Sequence, residues 1–164
     1  MASRRICTDK GFTLIETLIV VGLLAIIGGF TVAVNINDLR GSAFRDERST
    51  LIIALQKARS AALNNINLAP HGVALSPSAH PGKYVVFEGD DYASADHALD
   101  EVLGGEYAVS FVPGSPTEVV FAQLSAEAEC DGAPCSDAEP IRMEDPNRGM
   151  VFDILINAEG RVSW

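Results

Sequence analysis

The chain has 164 residues, 48% of them apolar, and its 22 Asp and Glu outweigh 12 Lys and Arg for a formal charge of −10. An acid excess of that size argues against phosphate-backbone contacts as a main source of affinity, and so against a nucleic-acid partner. The apolar residues concentrate between Phe12 and Val34, where Glu16 is the only ionisable side chain.

The N-terminal flank carries Arg4, Arg5 and Lys10 against Asp9. About 20 predominantly apolar residues cross a bilayer, so residues 12–34 are long enough for a membrane span. Basic residues before the span and none close behind it place the N-terminus in the cytoplasm and everything after Val34 outside. A charge inside such a span costs roughly 2.5–3.5 kcal/mol, which makes Glu16 a functional residue by default. A secretory signal cut near Thr31-Val32-Ala33 would account for export, but the apolar run exceeds the usual length of about 7–15 residues. A plain signal anchor accounts for the length and leaves the carboxylate unexplained. Arg4-Arg5 is not followed by the rest of a twin-arginine signal, and Cys7 lacks the small apolar residues that precede a lipidated cysteine.

The run Lys10-Gly11-Phe12-Thr13-Leu14-Ile15-Glu16 closely resembles the class III signal of type IV pilins and type II secretion pseudopilins. The resemblance implies that a prepilin peptidase cuts after Gly11, on the cytoplasmic side, and methylates the new N-terminal Phe12. It implies that Glu16 pairs with the Phe12 amine of a neighbouring subunit, so that two charges costly apart in lipid become a register device for assembly. Partners would then be the peptidase, other pilin or pseudopilin subunits and an inner-membrane assembly platform, after residence in the cytoplasmic membrane. The assembled product would be a periplasmic pseudopilus or a cell-surface pilus. Removal of residues 1–11 discards three of the 12 basic residues and one of the 22 acidic ones, taking the charge from −10 to −12.

Beyond the span, Leu51, Leu55, Ala58 and Ala62 recur on one helical face. Gly41-Ser42 marks a bend or weak point, and Asn64-Asn65-Ile66-Asn67 followed by Pro70 ends the helix. Many pilins carry a helix-breaking proline in the membrane half, whereas this sequence has none between Phe12 and Asn64 and offers Gly28-Gly29 instead. From His71 onward short β-like runs alternate with turn residues: 72–75, 83–88, 106–112, 118–122, 150–156 and 161–164. Asn157-Ala158-Glu159-Gly160 reads as a hairpin turn, and 90–105 and 122–143 read as loops. The expected fold is α+β: a long N-terminal helix packed on a small C-terminal antiparallel β domain. The expected divisions are a leader (1–11), a membrane and assembly half-helix (12–34), an amphipathic half-helix (35–66) and an exported β-rich domain (67–164).

Cys7 falls in the leader, leaving Cys130 and Cys135 as an even pair outside the cytoplasm, which reads as a disulfide. Free thiols are the alternative; a zinc site would need two further ligands that the sequence does not offer. His71, His80 and His97 are scattered among turn residues with no nucleophile motif, so no catalytic role and no cofactor is expected, and the histidines read as solvated. The acidic groups Glu88, Asp90, Asp91, Asp96, Asp100 and Asp137, Glu139, Glu144, Asp145 lack the spacing of a calcium loop and read as solvated loops. Gln56-Lys57-Ala58-Arg59-Ser60-Ala61-Ala62, His71-Gly72-Val73-Ala74-Leu75 and Ile154-Leu155-Ile156-Asn157-Ala158-Glu159-Gly160-Arg161-Val162 resemble segments of the H-type minor pseudopilins and related minor pilins. The function expected is a non-enzymatic filament subunit. The rival is a membrane-anchored binding module, an adhesin or a cargo receptor, that never assembles.

Overall fold

The computed structural model describes residues 13–104, 107 and 109–164, with the backbone alone over 30–41. The one α-helix among the described residues, α1, spans Leu14–Leu63, and the chain divides into two compact units, Met1–Gly41 and Ser42–Trp164. The division falls at the Gly41-Ser42 weak point, yet α1 runs through it without leaving helical hydrogen bonding.

In the first unit every described helical side chain, from Leu14 to Gly29, is exposed. Leu14 is 82% exposed and Ile15, Leu18, Ile26 and Ile27 are all above half. A helix that is apolar all round finds no stable home in water, so this segment requires lipid or other helices around it. Among the described residues no helix is long and apolar enough to cross a membrane. Residues 30–34 of the expected span lie where side chains are not described.

In the second unit α1 turns amphipathic. Phe44, Leu51, Leu55, Ala58 and Ala62 are buried at steps of three, four or seven residues, while Arg45, Ser49, Ile53, Gln56 and Ser60 face outward. The stripe packs on two antiparallel sheets. The strands are β1 (His71–Leu75), β2 (Tyr84–Glu88), β3 (Glu101–Leu103), β4 (Ser110–Phe111) and β5 (Glu118–Phe121). They continue as β6 (Ala128–Cys130), β7 (Ala133–Pro134), β8 (Ile141–Glu144), β9 (Val151–Ile156) and β10 (Val162–Ser163). One sheet has the order β3-β2-β1-β5-β6-β7, the other β10-β9-β8-β4. The α+β expectation holds.

Strand periodicity assigns each face of the first sheet. Val73, Leu75, Tyr84, Val86, Val119 and Phe121 join the helix stripe and Ile141, Met143, Ile154 and Ile156 of the second sheet in one core. Each large side chain so buried contributes about 1.5–3 kcal/mol. The opposite face, Ala74, Val85, Phe87 and Val120, forms a second cluster covered by Tyr92 and Ala95. Residues 89–100 are therefore a strap over the outer face, held by a T-shaped contact of Tyr92 on Phe87 at 5.4 Å.

The strand expectations for 72–75, 83–88, 118–122, 150–156 and 161–164 hold to within one residue at each end. The run 106–112 contracts to Ser110–Phe111, with residues 105, 106 and 108 outside the described residues. The two expected loops are corrected: 90–105 contains β3, and 122–143 contains β6, β7 and most of β8. These strands are short and flanked by polar or turn residues, so pairing with neighbours, rather than local sequence, holds them extended.

Candidate functional site

Gly11 and Phe12, the expected cleavage and methylation positions, lie outside the described residues. The described part of the site begins at Thr13, which precedes the first helical residue. The Glu16 backbone N–H donates to Thr13 Oγ1 over a long 3.4 Å and to the Thr13 carbonyl at 3.1 Å. Thr13-Leu14-Ile15-Glu16 thus has the Thr-x-x-Glu spacing of a capping box, in which side chains satisfy backbone donors at a helix start. Thr17 Oγ1 donates back to the Leu14 carbonyl at 2.9 Å, which settles its hydroxyl inside the same turn.

This places Glu16 in the first turn of α1, exposed. The positive end of the helix dipole favours an anion there by about 0.3–1 kcal/mol. That falls short of the roughly 2.5–3.5 kcal/mol cost of a carboxylate within lipid. The helix start therefore favours an anion at Glu16 but does not offset that cost. Thr13 is the residue that sequence reasoning missed, and the capping-box spacing was the signal for it.

Cys130 and Cys135 are joined in a disulfide with Cα atoms 5.0 Å apart, closing the β6–β7 hairpin. Inside that loop Asp131, at φ 49°, accepts from Thr117 N at 2.9 Å, Thr117 Oγ1 at 2.7 Å and Glu118 N at 3.0 Å. The disulfide hairpin is thereby tied to the start of β5.

The histidines are not brought together. His71 is corrected from solvated to buried, with its Nε2 3.0 Å from the Ile66 carbonyl. The His97 ring lies tilted against Tyr92, 4.8 Å between centres, and meets Asp100 through Nδ1 at 2.9 Å, bracing the strap. Asp145 is also corrected: it is fully buried, accepts from Tyr107 Oη at 2.8 Å and from Asn147 N at 2.9 Å, and so holds a turn together. The Asp145 carboxylate, acting first by its hydrogen bond, pushes the Tyr107 hydroxyl pKa up. Among the described residues no three His, Cys, Asp or Glu side chains gather as for a metal ion.

Two residues buried in the core, Tyr84 and Glu47, each keep an oxygen, Oη and Oε2, without a hydrogen-bond partner within 3.5 Å. Burial first, and the nearby Glu47 carboxylate second, push the Tyr84 pKa well up.

With this geometry in place, comparison with known families adds one finding: the sequence model of the prokaryotic N-terminal methylation motif matches residues 7–32. The chain carries the type IV pilin and pseudopilin signature. The match covers the expected cleavage point, Glu16 and the all-apolar half of α1, and leaves residues 33–164 untouched. The motif implies a membrane-anchored pilin precursor that a prepilin peptidase processes. None of the curated proteins and none of the solved structures matches the chain at a significant level.

Proposed function

We propose that the chain is a minor pilin or pseudopilin subunit, assembled into a type IV pilus or a type II secretion pseudopilus. The observation that carries this reading is the coincidence of the methylation motif at 7–32 with a helix half that is apolar and exposed on all sides and bears one carboxylate in its first turn. In the proposed sequence the precursor enters the membrane with its N-terminus in the cytoplasm. The peptidase cuts the Gly11–Phe12 peptide bond and methylates the Phe12 amine. Glu16 then meets the N-terminal amine of an adjacent subunit, and the apolar helix halves pack together as the assembly platform extracts the chain. The β-rich unit ends outside the membrane, in the periplasm or at the cell surface. No step of this is catalysed by the chain itself. Minor rather than major status, and the H-type relationship, rest on the resemblance of 56–62, 71–75 and 154–162 to that group.

The test pairs two measurements on the protein made in a host with a prepilin peptidase and its pilus machinery. Mass spectrometry of the native N-terminus should find N-methylphenylalanine at Phe12; an intact Met1 or an end near Val34 overturns the reading. Glu16→Ala should still be cleaved and methylated yet fail to enter filaments. Normal assembly of that variant would sink the pairing while leaving the processing intact.

A further inference from the structure

The two edges of the six-stranded sheet differ in how open they are to another chain. β7 is two residues long, contains Pro134 and sits in the disulfide hairpin. Proline cannot donate to a ladder, and short, pinned edges of this kind discourage pairing with another strand. β3 at the opposite edge has no proline, and among the described residues no strand pairs with its outer side. Its Val102 is 44% exposed and the preceding Leu99 57%. Its single charge, Glu101, is engaged by Lys57 of α1.

A cleft of about 220 Å3 opens at the start of β3, lined by residues that include Lys57 of α1, His71 of β1, Phe87 of β2, Leu99 and Glu101. Pockets for small-molecule ligands run to about 300–1,000 Å3, so this one suits a single side chain better than a cofactor. The surrounding charge is mostly acidic, although Lys57 lines the cleft and Lys83 donates to the carbonyl of Gly104, just after β3. From Glu88 to Glu101 the sequence carries six carboxylates and no Lys or Arg.

We infer that the open edge of β3 is a docking site for an extended segment of another protein, one that carries both basic and apolar side chains. The segment adds as a further strand, with main-chain hydrogen bonds to β3 supplying affinity. An apolar side chain enters the cleft beside Leu99, and basic side chains meet the carboxylates of Glu88, Asp90, Asp91 and Asp96, since Asp100 and Glu101 are engaged by His97 and Lys57. A second copy of this chain is disfavoured as the occupant. Residues 42–164 hold 19 Asp and Glu against eight Lys and Arg, so two such bodies repel.

The test uses the full chain in non-ionic micelles and a fluorescein-labelled nonapeptide of alternating Lys and Val, read by anisotropy against empty micelles. The peptide should bind and slow amide exchange at residues 101–103. An analogue N-methylated at alternate residues, which keeps the charge and removes the ladder donors, should bind roughly tenfold weaker or worse. A Glu-for-Lys analogue should not bind over the same range. Val102→Pro should weaken binding of the parent peptide comparably. Should that variant misfold, the N-methylated analogue on the unmodified protein decides the matter. Absence of binding, or equal binding by the N-methylated analogue or by Val102→Pro, overturns the site. Protection at 101–103 that grows with protein concentration in the absence of peptide makes the occupant a second copy, and also overturns it.

Discussion

Gly160 turns the β9–β10 hairpin at φ +71°, with its N–H donating to the Asn157 carbonyl at 2.9 Å. A Cβ placed there would lie 2.0 Å from the Ala126 carbonyl oxygen, which is backbone and has no rotamer to yield. Ala126 itself sits at φ 54°, so the neighbouring chain is already in a sparsely populated conformation. Gly160→Ala combines backbone strain with a clash, and should destabilise the fold by about 3 kcal/mol or more. Urea unfolding of the full chain measures it; a loss under about 1 kcal/mol would mean that the hairpin shifts freely. The turn was legible in the sequence, because Asn157-Ala158-Glu159-Gly160 separates two apolar runs. The close approach was not, since it depends on a chain segment distant in sequence. Glu16 and Thr13 show the same contrast in reverse. Both belong to a local pattern, Thr-x-x-Glu before an apolar helix, and local patterns can be read without the fold.

At the scale of elements, the disulfide hairpin and the β8–β9 pair make separate predictions. The Cys130–Cys135 loop is short, so its removal from the unfolded ensemble should be worth about 2 kcal/mol, the low end for disulfides. A Cys130→Ala, Cys135→Ala double variant should lose about that much in urea, and reductant should destabilise the parent but leave the variant unchanged. In the second sheet Arg142 and Asp153 are register partners joined by two bonds, Nε to Oδ1 at 2.7 Å and Nη2 to Oδ2 at 2.8 Å. Those bonds first, helped by the guanidinium charge and opposed by partial desolvation, hold the Asp153 carboxyl below its ordinary range. A carboxyl whose pKa is lower folded than unfolded adds stability above the unfolded value, near about 3.9, and loses it as pH falls through the folded one. Arg142→Gln should therefore melt below the parent at about pH 6, with the gap closing as pH falls under about 4. A gap independent of pH would show that the pair adds no linkage. Both side chains are exposed, so the effect should be small. The legible strands were those with apolar, β-branched runs, such as Tyr84-Val85-Val86-Phe87. Ile141-Arg142-Met143-Glu144 alternates cleanly but is brief, and Glu101-Val102-Leu103 is shorter still, so neither outweighs its acidic and Pro/Gly surroundings.

For the whole molecule, charge and apolar surface are segregated. The described helix residues 13–29 carry one ionisable group, while residues 42–164 carry a net charge of −11. On the proposed function, assembly by the apolar half would bring acidic bodies side by side. Repulsion between exposed bodies acts through water and is screened over about 10 Å at 0.1 M salt. The proposed Glu16–amine pair, lying within lipid, would be screened much less. The two contributions should separate with ionic strength. In membranes or micelles holding the processed chain, raising salt from about 20 mM to about 300 mM should increase the cross-linked oligomer yield, because screening weakens the repulsion and leaves the helix contacts in place. Glu16→Ala should give low yield at both salts, since screening the bodies does not restore a partner within the membrane. A parent yield that falls with salt would mean that ion pairs between bodies drive association. The acidic surface would then be an attractive interface, and the apolar half of α1 only an anchor.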